Sequence, residues 1–144
     1  MPKPTKGRTG TSRKSIAKLP KPENPYELAR EIVKAASQRK AIDPVVLDLQ
    51  GLSIMADYFV IFGSESSVGV GAIAKTITSE LARRRVKALR SAGTGESGWV
   101  LIDFGDVIVH IFLEETRHFY DLESLWGDAP LVSFDEEDGG ASGE

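Results

Sequence analysis

The sequence predicts a single α/β domain, in which helices cover a five-stranded mixed sheet. The chain has 144 residues, of which 41% are hydrophobic and 27% are charged. This length suffices for one domain with a real core, and not comfortably for two. Short β-branched runs and longer segments with apolar residues at helical spacing follow one another in the order α-β-β-α-β-β-β-α. That order is typical of a sheet with helices packed on its faces.

The first helix has three agreeing start signals. Asn24 can cap the helix, Pro25 fits its first turn, and Glu27 stands three residues after the cap. Apolar residues then recur at helical spacing to about Lys40. The β-branched runs at residues 45–49 and 57–62 predict the first two strands.

The second helix is expected after Ser66 or Ser67, either of which can cap it. Its apolar stripe runs to three consecutive arginines, which suit the negative end of the helix dipole. Gly69 and Gly71 lie near its start and cost roughly 1 kcal/mol each in helix propensity. We therefore expect this helix to begin late or to fray.

The C-terminal half predicts a glycine-rich loop, a hairpin and a last helix. We expect a third strand at 86–89, a mobile loop at 91–98, a hairpin of strands 99–104 and 107–112, and a helix at 116–126. Within it we expect core positions for Phe112, Phe119 and Trp126, and exposure for Trp99 and Tyr120.

The two ends of the chain carry opposite charge. Residues 1–22 hold seven Lys or Arg and no acid, while residues 135–144 hold five acids and no base. Both ends have too few apolar side chains to offset the entropy of ordering. We predict a disordered basic arm at 1–23, a folded domain at 24–130 and a disordered acidic tail at 131–144. The arm could contact nucleic acid, stay solvated or serve as an organelle transit peptide.

Composition excludes several classes of protein. The chain has no cysteine, so disulfides, thiolate metal sites and a cysteine nucleophile are ruled out. No apolar run is long enough to span a membrane, and no secretory signal is recognisable. With two histidines and scattered carboxylates, we expect no metal or cofactor, and a cytoplasmic location. His110, which shares one face of a predicted strand with Ile108 and Phe112, is expected to be a hydrogen-bonded core residue.

The stretch from Trp99 to Trp126 resembles the ribosomal silencing factor family (RsfS, Iojap-like). The segments that carry the resemblance are WVLIDFGDVIVHIF at 99–112, ETRHFYDLESLW at 115–126 and ADYFVI at 56–61, and it extends over about residues 26–130. The family implies a non-enzymatic protein with a nucleotidyltransferase-like fold. Its members bind the large ribosomal subunit at ribosomal protein fourteen and block joining of the small subunit, which lowers translation during starvation. The residues carried over as partner contacts are Trp99, Asp106, Arg117, Tyr120 and Glu123.

Two alternatives stay open beside this hypothesis. A nucleotide-binding or degenerate nucleotidyltransferase enzyme could use Gly63, Ser64 and the glycine-containing segment 69–74, which matches G-x-G-x-x-A. Residues 73–77, however, lack the paired acids that two-metal phosphoryl transfer requires. The second alternative is a homodimeric regulator whose binding face is occupied by another copy. Under the silencing-factor hypothesis, the basic arm is expected to contact rRNA.

Overall fold

The structure is a computed structural model that describes residues 19–134. Most of the predicted arm and residues 135–144 of the predicted tail lie outside this range. The elements, in chain order, are α1 (Pro25–Ser37), β1 (Ile42–Asp48), β2 (Tyr58–Ser64), α2 (Ser67–Arg83), β3 (Arg90–Ala92), β4 (Trp99–Asp103), β5 (Val107–Leu113), α3 (Glu114–Tyr120) and α4 (Leu122–Leu125). In the described part of the chain, no helix is both long enough and apolar enough to cross a membrane.

The five strands form one mixed sheet in the order β1-β2-β5-β4-β3. Strands β2 and β5 are parallel, and the other neighbouring pairs are antiparallel. The connection between the two central strands therefore crosses over through α2 and the β3–β4 hairpin. The predicted fold class is confirmed.

The two faces of the sheet bury different sets of residues. Helices α1 and α2 pack on one face, where β5 contributes Val107, Val109 and Ile111. The other face receives Ile108 and Phe112 from the same strand, and α3, α4 and the residues after them cover part of it. The alternation predicted for this strand is confirmed.

Both long helices begin where their caps predict. The Asn24 side chain accepts a hydrogen bond from the Glu27 amide at 2.8 Å, and the Ser66 hydroxyl accepts one from the Gly69 amide at 3.0 Å. The expectation that α2 begins late was wrong, since helical structure starts directly after Ser66. A side chain at position 69 would collide with the Ser64 hydroxyl, so Gly69 permits this close turn from β2 into α2.

The third strand was placed too early by the sequence pattern. After α2, Arg85 adopts a left-handed φ of 67°, and the Val86 amide donates to the Leu81 carbonyl. This arrangement still closes the helix end, so residues 86–89 form a connection and pairing with β4 begins only at Arg90. The expected loop at 91–98 is shorter for the same reason.

The last predicted helix is two helices. Asp121 has a φ of 48°, and its amide donates to the Arg117 carbonyl at 2.8 Å, which closes α3. The chain restarts as α4 at the next residue. A continuous helix at 116–126 was therefore wrong, because one left-handed residue changes the chain direction.

The folded body extends past residue 130. The Val132 amide donates to the Val46 carbonyl at 2.9 Å, and Leu131 forms a β-bridge with Leu47. The ring of Phe134 is buried and packs edge-on against Tyr26 at 5.1 Å. Residues 131–134 therefore belong to the domain, and the predicted boundary of the tail moves at least four residues later.

Candidate partner-binding face

Six aromatic rings form a continuous row across the sheet face that carries α3 and α4. Neighbouring ring centroids along this row lie between 4.7 and 6.0 Å apart. Three strands and both short helices contribute to it, so the row depends on the whole tertiary fold. We call it the aromatic row; its members in spatial order are Trp126, Phe59, His110, Trp99, Tyr120 and Phe119.

A buried hydrogen bond orients Trp99 within the aromatic row. The Trp99 indole Nε1 donates to His110 Nδ1 at 3.1 Å. Burial lowers the pKa of His110 to about 4, because the charged imidazolium would lose its hydration there. A neutral imidazole that accepts at Nδ1 carries its proton at Nε2. Within the described residues this Nε2 has no hydrogen-bond partner, and the Phe59 ring lies 4.7 Å from the imidazole.

The outer end of the aromatic row is open to solvent. Tyr120 is 50% exposed and Phe119 80%, while Trp99 is half-buried. Between Trp99, Leu101 and Tyr120 runs a groove of about 350 Å³, which continues to the β3 edge at Ala92. Apolar walls with an aromatic rim suit an inserted apolar side chain of a partner.

Phe119 was wrongly expected in the core. On α3 it follows Arg117 by two positions, which places it about 200° round the helix. Because α3 turns Arg117 inward, the opposite direction faces solvent. The expectation for Phe112 is confirmed, since it is fully buried, while Trp126 packs on the core and stays half-exposed.

The glycine loop before Trp99 is closed by its own hydrogen bonds. The Thr94 amide donates to the Ser97 hydroxyl at 3.0 Å, and the Leu113 amide donates to the Gly98 carbonyl at 2.9 Å. Gly98 has a φ of 82°, and a side chain there would meet the Thr116 hydroxyl. The loop predicted to be mobile is therefore tied to β5 and α3, and it fixes the start of β4.

Arg117 and Glu123 bind each other inside the domain. Arg117 is only 9% exposed. Its guanidinium donates to Glu123 Oε2 from Nε at 3.0 Å and from Nη2 at 2.8 Å. It also donates to the carbonyls of Ile42 at 3.1 Å and Asp43 at 2.8 Å. This clamp joins α3, α4 and the start of β1. Arg117 and Glu123, two of the five predicted contact residues, thus hold these elements together.

Asp106 lies apart from the other predicted contact residues. It is exposed in the β4–β5 turn, where its carbonyl accepts from the Asp57 amide at 2.7 Å. Trp99 stands at the far end of β4, four residue steps from Asp103, which is about 13 Å of extended chain. The structure brings Trp99 and Tyr120 together and pairs Arg117 with Glu123, and it leaves Asp106 at the opposite end of the sheet.

The sequence did not predict two contributors to this face, Phe59 and Leu101. They lie on the same side of the sheet as His110, since Phe59 pairs with Ile108 and Leu101 with His110, whereas the prediction of His110 as a hydrogen-bonded core residue is confirmed. The runs at 58–62 and 99–102 are apolar on both faces, so they contain no alternation that marks one side. Sequence alone did not show which strands are neighbours.

The segment considered for nucleotide binding has a structural task. The Ser64 hydroxyl is buried, donates to the Ser66 carbonyl at 3.0 Å and accepts from the Ser66 amide at 3.3 Å. Both bonds shape the turn into α2. Between residues 19 and 134, no three His, Cys, Asp or Glu side chains gather closely enough to hold a metal ion.

Comparison with known proteins identifies the family. Residues 22–143 match the family model described as "Ribosomal silencing factor during starvation". The chain belongs to the ribosomal silencing factor family. It is 38% identical over 112 residues to the ribosomal silencing factor of Bacillus subtilis, covering 78% of this chain and 95% of that protein. The resemblance noted in the sequence is confirmed.

Other members of the ribosomal silencing factor family differ in length and compartment. The chain is 37% identical over 104 residues to the chloroplastic protein Iojap of Zea mays, covering 72% of this chain and 45% of that protein. A crystal structure from Chromobacterium violaceum superimposes with a TM-score of 0.71 at 30% identity, covering 73% of this chain and 88% of that one. This superposition supports the α/β fold described above.

Proposed function

We propose that this protein binds the large ribosomal subunit at ribosomal protein fourteen and blocks joining of the small subunit. The observation that carries the proposal is the partly exposed Trp99–Tyr120 pair beside an apolar groove, in a domain of the ribosomal silencing factor family. The protein represses translation in this way during starvation, in the cytoplasm, without a cofactor or turnover.

The aromatic row suits a protein partner because its shape is set before binding. Trp99 is held by His110 and by the closed glycine loop, and Tyr120 is held by the helix that the Arg117 clamp anchors. Trp and Tyr are the residues that most often dominate the energy of an interface. Rings already held in position lose little freedom on binding, so more of the contact energy appears as affinity.

The proposed mechanism is steric. A compact body of this size is roughly 35 Å across, which is small beside a ribosomal subunit. It can prevent joining only by occupying part of the face that the subunits share. Blocking is then stoichiometric, and the protein and the small subunit exclude each other by linkage.

Light scattering of mixed purified subunits, titrated with the protein, tests this mechanism. We expect inhibition to saturate near one protein per large subunit, to weaken with excess small subunit and to fail on subunits already joined. Tyr120→Ala should require much more protein, whereas Leu89→Ala, an exposed residue of the connection to β3, should behave as the parent. Inhibition far below one copy per subunit would contradict the steric mechanism.

The basic arm extends the proposal to rRNA. Seven positive charges in residues 1–22 without a single acid would neutralise phosphates and release counterions. Deleting residues 1–22 should flatten the dependence of subunit affinity on salt while keeping the preference for the large subunit. An unchanged slope in co-sedimentation at several salt concentrations would exclude a contact through the arm.

A further inference from the structure

In the described part of the chain, the segments that contain α1 and α2 are basic and the remaining segments are acidic. Residues 19–40 and 66–90, which contain α1 and α2, hold eleven Lys or Arg and four acids. The remaining described residues, 41–65 and 91–134, hold twelve acids and a single base, the clamped Arg117. The segments that contain the two helices thus have a net charge of +7, and the rest of the described chain has −11; Arg90, at the end of the second segment, pairs with Asp103 of β4. The overall charge of −3 conceals this separation.

Ion pairs between residues of the two helical segments neutralise part of their positive charge. Arg84 pairs with Glu31 at 3.3 Å, and Arg83 pairs with Glu80 at 3.2 Å. Lys40, Lys75 and Lys87 are exposed, and none of their ammonium groups forms an ion pair or hydrogen bond with another described residue. These three ammonium groups are available to an outside partner.

The packing of the two helices brings Lys40, just after α1, near Lys75 of α2, and Lys87 lies in the connection that follows α2. Arg39 Nε donates to the Thr76 hydroxyl at 2.9 Å, which joins the end of α1 to the middle of α2 and brings the neighbouring Lys40 and Lys75 to the same region. From Lys75 to Arg83 the helix rises by about 12 Å. The exposed positions between them are small: Thr78, Ser79 and Ala82.

The same surface exposes few of the apolar side chains that would insert into a membrane. Of the nine large hydrophobic side chains exposed in the described residues, Val68 alone belongs to α1 or α2. An interfacial helix needs an exposed apolar face beside its basic residues, and these helices bury theirs against the sheet. Phosphates in an aqueous, rigid polyanion match the surface better.

We propose that the outer surface of α1 and α2 binds the phosphate backbone of double-stranded RNA, with Lys40, Lys75 and Lys87 as its contacts. We call it the basic helical surface. It is a second interaction surface, on the side of the sheet opposite the aromatic row. Identifying the RNA as rRNA of the large subunit rests on the proposed function, whereas RNA binding itself does not.

The root of the basic arm lies beside this surface. Arg84 Nη1 donates to the Pro20 carbonyl at 3.0 Å, so the chain enters the domain next to the end of α2. Six further basic residues precede this point in the sequence, among the first eighteen. The end of the described chain, Phe134, packs on α1 through Tyr26, so the acidic residues that follow it in the sequence would be the competing intramolecular occupant.

The test measures binding of the full-length chain to a labelled RNA duplex of about 16 base pairs by fluorescence anisotropy at several salt concentrations. Lys75→Ala with Lys87→Ala should weaken binding by roughly tenfold or more at about 0.1 M salt and lower the log–log salt slope by about 2. Ile54→Asp with Met55→Asp is the matched control. It changes the net charge by the same amount at two exposed positions of the loop that packs on the other face.

Binding of the same variants to purified ribosomal protein fourteen is measured in parallel. The lysine variant should keep that affinity, since its positions face away from the aromatic row. Equal RNA affinity and salt slope for the lysine variant and the parent would overturn the proposal and favour the acidic tail as the occupant. An equal loss in the control variant would also overturn it, because net charge alone would then explain binding. RNA binding as expected, with no binding of the parent to ribosomal protein fourteen, would support this surface and contradict the proposed function.

Discussion

The two faces of the sheet share their strands and differ in chemistry. On the side of α1 and α2 most residues are aliphatic and buried, as Ile73, Ile77 and Val109 are. On the other side aromatic rings are prominent, and some of them, such as Trp99 and Tyr120, are only partly covered. The comparison teaches that long helices close one face, while the other keeps aromatic rings open to solvent.

The incomplete cover on the aromatic side has a simple origin. Helices α3 and α4 have seven and four residues, against thirteen and seventeen for α1 and α2. Two short helices shield the middle of the sheet and leave β4 and β3 uncovered. The exposed apolar surface that results is tolerable in a monomer only when it has a function or a partner.

The largest expected change in stability comes from a cavity on the side of α1 and α2. Ile73→Ala removes a fully buried side chain between α2 and the sheet. We expect the free energy of unfolding to fall by about 3–4 kcal/mol, from lost burial and the cavity left behind. Urea unfolding measures this loss, and subunit affinity of the folded variant should stay at the parent value. Lost affinity in a folded variant would mean that the two faces are coupled.

The aromatic side should show a distinct dependence on pH. His110 has a folded pKa of about 4 against 6.5 in the unfolded chain, so the unfolded chain takes up a proton first as the pH falls. Its contribution to stability is complete above about pH 6.5 and is lost as the pH falls towards 4, about 3 kcal/mol in all. Unfolding of the parent, His110→Phe and the exposed-site control His118→Gln, followed across this range, measures it. A slope shared by the parent and His110→Phe would contradict the assignment.

Recognition should depend on the open end of the aromatic row. Tyr120→Ala should lower the affinity for the large subunit about thirtyfold, or 2 kcal/mol, with a small change in melting temperature because the ring is half-exposed. Trp99→Ala should lose similar affinity and about 2–3 kcal/mol of stability, since its ring packs on Phe112 at 4.8 Å and its indole donates to the buried His110. Normal affinity in both variants would place the contact surface elsewhere.

The smallest expected effect concerns the hydrogen bond that caps the start of α2. Ser66→Ala removes the hydroxyl that accepts from the Gly69 amide and should cost about 1 kcal/mol. Ser67→Ala, one position into the helix, should be nearly neutral. Equal losses in chemical denaturation would show that Ser67 caps the helix in solution.

Local signals were enough to predict most of the fold. The caps at Asn24 and Ser66 and the alternation in β5 depend on neighbouring residues, and each is confirmed. The errors arose where tertiary structure overrode local pattern. Asp121 breaks a helix whose apolar spacing looked continuous, and Arg85 delays a strand by closing the helix before it.

The candidate site was predictable in part. Trp99 and Tyr120 stood out by residue type, but their contact at 4.8 Å depends on the α3 fold-back, which no local pattern encodes. The burial of Arg117 was unpredictable for the same reason, since two of its acceptors lie more than seventy residues away in β1. Family resemblance carried these residues over without distinguishing those that support the surface from those that form it.

The first edge strand has a consequence for self-association. A sheet with an open edge can add a strand from another copy, which leads to dimers or to aggregation. Here Pro44 lacks an amide donor, Asp43 takes a left-handed φ of 46°, and the pairing register shifts between Ile42 and Val45. The segment through Leu131 then occupies the other half of that edge, while β3 at the opposite edge has only three residues. A second copy of this chain therefore finds few suitable backbone groups at either edge with which to extend the sheet. A dimer would have to form through side-chain contacts.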